Sequence, residues 1–168
     1  MKITHHHDVS LMLLILLAFS FFSGLLMAHA ARAELDEKRR GKCIVGTYLI
    51  EEGSGTRGIW TFNKDGNFIG TSSAQSLLNF SALQGVWEKT GHRAVTATLL
   101  DFSFDDQGNL LNIARVDIFV RGHGKKCENV DGEFSLRFFE DGEDPLKPET
   151  DTGQPFLDLF SGRRITVN

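Results

Sequence analysis

Residues 93–121 run RAVTATLLDFSF, DDQGN, LLNIARVDIFVR. Two long segments rich in β-branched and aromatic residues, Arg93–Phe104 and Leu110–Arg121, flank Asp105-Asp106-Gln107-Gly108-Asn109, a turn by composition. In the second segment Val116, Ile118 and Val120 fall on one side, with Arg115, Asp117 and Arg121 on the other. That period of two marks a strand with one apolar face. In the first segment Val95, Ala97 and Leu99 begin on one face, while Leu100, Phe102 and Phe104 continue on the other. The switch predicts a bulge near Leu99 and Leu100, or a strand buried on both faces.

The same grammar extends in both directions. Upstream lie Cys43–Glu52, Ile59–Asn63, Phe68–Gln75 and Gln84–Thr90, with Lys64-Asp65-Gly66-Asn67 supplying an Asp-Gly hairpin signal. Ser76–Ala82 is the least strand-like stretch and reads as a short helical turn or loop. Downstream, Glu133–Phe139 places Phe134, Leu136 and Phe138 on one face, and Arg163–Val167 offers a final short run. No window sustains helical periodicity over ten residues. Seven or eight short strands at hairpin spacing predict an all-β fold. An antiparallel up-and-down barrel of about eight strands is favoured, with a β-sandwich as the alternative.

The N-terminus carries a different signal. Lys2 precedes Leu11–Ala28, a run of 18 residues without charge, and Ala28-His29-Ala30 and Ala31-Arg32-Ala33 are small-x-small cleavage sites. The expectation is a signal peptide over residues 1–33 and a charged lead-in over 34–42. A single domain over 43–168 follows, exported to the periplasm or the extracellular space and free of a membrane span after cleavage. An uncleaved anchor is the alternative, because the run just reaches spanning length. His5-His6-His7 falls in this leader, and three adjacent histidines do not build a tetrahedral metal site. The chain after Ala33 has 16 basic and 21 acidic residues. Such a balance argues against nucleic-acid binding, which needs a basic stripe for phosphates.

Cys43 and Cys127 are the only cysteines, and an even pair in an exported protein predicts a disulfide. Little else suggests chemistry. His92 and His123 sit in glycine-flanked turns, no serine occupies a Gly-x-Ser-x-Gly elbow, and no glycine-rich phosphate loop opens a helix. No catalytic set, metal site or cofactor is predicted. Residues 140–151 (EDGEDPLKPETD) form an acidic loop without the calcium-binding offsets, and Pro155–Phe160 is apolar enough to pack back on the barrel or to trail as a free end. Arg115, Asp117 and Arg137 are expected to form a cross-strand ion pair on the outer face. Asn79-Phe80-Ser81 is a glycosylation sequon, relevant only in a eukaryotic host.

Gly46-Thr47-Tyr48, in the first run, resembles the Gly-x-Trp start of the first strand in lipocalins and their calycin relatives, with tyrosine for tryptophan. Gly85-Val86-Trp87 matches the triplet itself but lies mid-chain. No second or third lipocalin motif and no long C-terminal helix accompanies them. The resemblance covers roughly Cys43–Phe139 and implies a barrel whose closed end Tyr48 would plug. Segments such as residues 138–145 (FFEDGEDP) also resemble small exported bacterial proteins of no assigned activity. Two functions follow as expectations. One is an exported barrel binding a small apolar or amphiphilic molecule in its interior, lined by Trp60, Phe62, Trp87, Phe102, Phe104, Val116, Ile118, Phe134 and Phe138. The other is a packed β-domain acting by its surface, as an adhesion, inhibitor or envelope-associated module. An isomerase or cyclase using a barrel cavity is a third class, with no residues to assign to it.

Overall fold

The computed structural model describes residues 43–150 and 153–167. The expected signal peptide, the charged lead-in and Asp151 lie outside the described residues. Eight strands run in chain order: β1 (Gly46–Glu52), β2 (Arg57–Phe62), β3 (Asn67–Ser72), β4 (Leu83–Gly91), β5 (Ala94–Phe104), β6 (Leu110–His123), β7 (Asn129–Phe139) and β8 (Phe156–Arg164). Each pairs antiparallel with the next, and β8 returns to pair with β1, closing an up-and-down barrel. Closure removes the sheet edges that a sandwich would leave exposed.

Turn chemistry sets the hairpins. Between β2 and β3, Gly66 adopts φ +93°, Asn63 N–H donates to Asn67 O at 2.9 Å, and the Asp65 carboxylate accepts from the Asn67 N–H at 3.1 Å. Asp105 plays the same part before β6, accepting from the Gln107 and Asn109 N–H groups. These hydrogen bonds hold both exposed carboxyls below the usual carboxylate range.

Alternation then carries one residue in two to the inside. Tyr48 and Ile50, Trp60 and Phe62, Phe68, Leu83, Val95, Ala97 and Leu99, Val116, Ile118 and Val120, Val130, Phe134 and Phe160 form one buried cluster. Arg115 and Asp117 face outward, as expected, but the ion pair is within β6. Arg115 Nε meets Asp117 Oδ2 at 2.8 Å and its Nη2 meets Oδ1 at 3.0 Å, while Arg137 lies directly across from Arg115 on β7.

Three expectations change. The first concerns the bulge: inward alternation runs through Val95, Ala97 and Leu99 to Asp101 without a break, and the register shifts lie elsewhere, between Ser103 and Phe104 against β6 and opposite Ala94–Val95 against β4. The second concerns the last strand, which begins at Phe156 and not Arg163, so the apolar tail is neither loose nor merely packed on the barrel. The third concerns the acidic loop, whose described part is tied down. Arg115 Nη1 donates to Pro145 O at 2.8 Å, Asp144 Oδ1 accepts from Leu146 N–H at 2.9 Å, and Pro148–Thr150 forms a single 3-10 turn. Between β3 and β4 the chain makes a one-turn helix, α1 (Gln75–Leu78), ended by Asn79 in the left-handed region at φ +50°.

Candidate functional site

The two ends of the barrel differ. At the end where β1 begins, Cys43 and Cys127 are joined by a disulfide, and Ile44, Val120 and Cys127 are fully buried. Tyr48, which the lipocalin resemblance puts at the plugged end, is fully buried here and donates its hydroxyl to Cys127 O at 3.2 Å. Arg164, from the end of β8, lies over the Tyr48 ring with its guanidinium carbon 4.8 Å from the centroid. Its guanidinium also donates to Val45 O at 2.8 Å, to Cys43 O and to the Tyr48 hydroxyl. Burial pushes the Tyr48 phenol up to about 12, partly offset by Arg164.

Above this plug, edge-to-face aromatics fill the barrel. Ring centroids lie 6.0 Å apart for Tyr48 and Phe62, 4.9 Å for Phe62 and Phe68, and 6.0 Å for Phe62 and Trp87. Trp87 Nε1–H donates to Asn63 O at 2.9 Å. Trp60 forms the top of the stack, against Phe68 at 5.8 Å and Phe160 at 4.7 Å.

Beyond Trp60 the packing stops. A cavity of about 500 Å³ occupies the opposite half of the barrel, a volume typical of small-molecule sites. Trp60 lies at its inner limit, and Leu83, Val116, Phe134, Leu136, Phe138 and Phe156 supply apolar wall. Leu78 and Phe80, on and just after α1, line it at the mouth with Glu52 and Ser72 from the strand ends and Ser54 and Thr56 from the β1–β2 turn.

The polar groups in this wall are unusual. Asp101 is only 5% exposed and Trp60 only 2%, yet among the described residues Asp101 Oδ1 and Trp60 Nε1 have no protein hydrogen-bond partner. Asn112 Oδ1, on the strand paired with that of Asp101, is unpartnered too. Leaving such groups unpaired costs about 1 to 3 kcal/mol each, so native folds rarely tolerate them without a use. Burial pushes the Asp101 carboxyl up to about 6. Burial, and then the nearby Asp158 carboxylate, also raise that of Glu52.

Of the nine aromatic and aliphatic residues expected around a cavity, Trp60, Val116, Phe134 and Phe138 line this one. Phe62, Trp87 and Ile118 belong to the packed half. Phe102 is 47% exposed and points outward, opposite in parity to buried Asp101, and Phe104, past the register shift, lines no part of the cavity. Asp101, Asn112 and Glu52 also line it, outside the expected set. Their one sequence signal is that Asp101 continues the inward row of Val95, Ala97 and Leu99.

Other concavities have less to offer. A groove of about 610 Å³ crosses the outside of β5–β8, but its Asp117 is already held by Arg115 and by Thr98 Oγ1 at 2.7 Å. His123 Nε2 meets Asp131 Oδ1 at 2.7 Å with both side chains half exposed, and His92 lies in an exposed turn. Among the described residues no group of three His, Cys, Asp or Glu is placed to hold a metal, and no helix is long and apolar enough to cross a membrane. No protein-family model matches the chain, and no curated protein matches its sequence. The closed antiparallel eight-stranded barrel is compatible with a lipocalin-like fold.

Proposed function

We propose that this protein is an exported binding protein that holds a small amphiphilic molecule in the open half of its barrel. One observation carries the reading: an apolar cavity of about 500 Å³ into which two nine-tenths-buried polar side chains, Asp101 and Trp60, turn unpartnered atoms. A barrel evolved only for rigidity would fill that space, as its other half is filled. A ligand with an apolar body and a polar group would bury the wall and complete the missing hydrogen bonds. The Cys43–Cys127 disulfide and the leader-like residues 1–33 support an oxidising, exported setting.

Native mass spectrometry of the protein purified from its own host tests this directly. The expected result is a stoichiometric small-molecule adduct that is lost in Trp60→Ala. A bare protein whose melting temperature is unmoved by apolar and amphiphilic ligands overturns the reading.

The alternative of a surface-acting module has one observation in its favour. Leu49, Ile59, Ile69 and Val86 all point outward from β1–β4 at 41–60% exposure, with Leu49 and Ile59 directly paired. Concentration-dependent self-association or membrane adsorption with an empty cavity would favour it.

A further inference from the structure

Resting on the ligand-binding reading, we propose that the cavity selects a cationic amphiphile, seating a protonated amine against Asp101 and Asn112 with the apolar body over Trp60. Two acidic residues, Glu52 and Asp101, line the cavity, and Asp158 lies near Glu52. No lysine, arginine or histidine lines it. Neither Asp101 nor Glu52 has a cationic partner among the described residues, although the same barrel pairs Arg115 with Asp117 and plugs its other end with Arg164. The sign of the cavity is therefore acidic and uncompensated.

Two features decide between an amine and a neutral donor such as an alcohol. Asp101 Oδ1 and Asn112 Oδ1 are both acceptors, set diagonally on paired strands β5 and β6, because Asp101 faces Ala114 and Asn112 faces Ser103. An ammonium has several donors on one atom and can serve both at once. Asp101 is also largely ionised at neutral pH even after its upward shift, and a buried carboxylate needs a counter-charge as well as a hydrogen bond. An alcohol supplies only the second. A fatty acid would add a further anion to two acidic groups in a low-dielectric space.

Decylamine, decan-1-ol and decanoate share one chain length and differ only in head group. Calorimetric titration of each into the protein at neutral pH separates the cases. Decylamine should bind about tenfold or more tighter than decan-1-ol, and decanoate weakest of all. Asp101→Asn should erase the preference for the amine while leaving decan-1-ol binding in place, which also shows that the variant is folded. Glu52→Gln, at the mouth, should weaken the amine to a smaller degree by the same pattern. Decanoate binding as tightly as the amine, or an amine preference that survives both substitutions, overturns the proposal. Binding of decan-1-ol alone removes the amine but keeps the cavity as a ligand site, whereas binding of none of the three removes both.

Discussion

Asp101 is the residue at which stability opposes the proposed binding. Its folded pKa is about 6, above the ordinary carboxylate value, so the native state holds this proton more tightly than the unfolded chain does. The contribution of Asp101 to stability is therefore most favourable below about pH 4. It falls as pH rises through the window to about 6 and stays low above it. Asp101→Asn removes the titration but keeps the shape. The expected outcome in the ligand-free protein is a gain of about 1 to 3 kcal/mol at pH 8, read as several degrees in melting temperature, and no gain at pH 4. Exposed carboxyls with lowered pKa, such as Asp65 and Asp105, and the raised Glu52 act alike in both proteins, so the comparison isolates Asp101. An equal effect at both pH values would show that desolvation of the charge is not its cause. Little of this was legible in the sequence. An aspartate between Leu100 and Phe102 reads as the polar face of a strand, and only its parity with Leu99 gives away that it is the buried one.

At the scale of elements, period-two patterning located β1–β7 to within a few residues, because each half-buried strand must alternate. It misplaced the bulge for a physical reason. Leu100 and Phe102 are apolar but outward, and a sequence cannot distinguish an apolar residue tolerated on the surface from one in the core. It also shortened β8, whose first half, Phe156–Phe160, carries apolar residues on both faces. What patterning cannot express is how closely strands approach. Gly132, on β7, is such a place: a Cβ there would stand 1.9 Å from Phe119 O and 2.8 Å from the Phe160 ring. Gly132→Ala must therefore push β7 from β6 or displace Phe160 from Trp60, and should cost about 1 to 3 kcal/mol in chemical denaturation. Glu133→Ala, one residue along and exposed, should stay within about 0.5 kcal/mol. Near-equal values for the two would mean that the barrel wall yields freely at this point.

At the scale of the whole barrel, the two ends are built differently. The packed end holds the disulfide, the Tyr48–Arg164 plug and the aromatic stack, whereas the open end holds the cavity with its uncompensated carboxyls. Antiparallel closure permits this, because each strand contributes one terminus to each end and its inward residues can change from aromatic to polar along its length. β5 makes the equivalent change, from aliphatic Val95 and Leu99 to polar Asp101 and Ser103. If the division holds, stability and binding should be separable by mutation. The Cys43–Cys127 bridge closes a sequence separation of 84, worth about 4 to 5 kcal/mol through the entropy of the unfolded chain. Replacing both cysteines with serine should lower stability by up to that amount. At temperatures where the variant remains folded, its affinity for a cavity ligand should stay within about twofold of the parent, since the bridge lies beyond the aromatic stack from the cavity. Denaturation and calorimetry on the same sample measure both quantities. A large loss of affinity in a folded double-serine variant would show that the stack transmits the state of the plug to the cavity, making the barrel one cooperative unit.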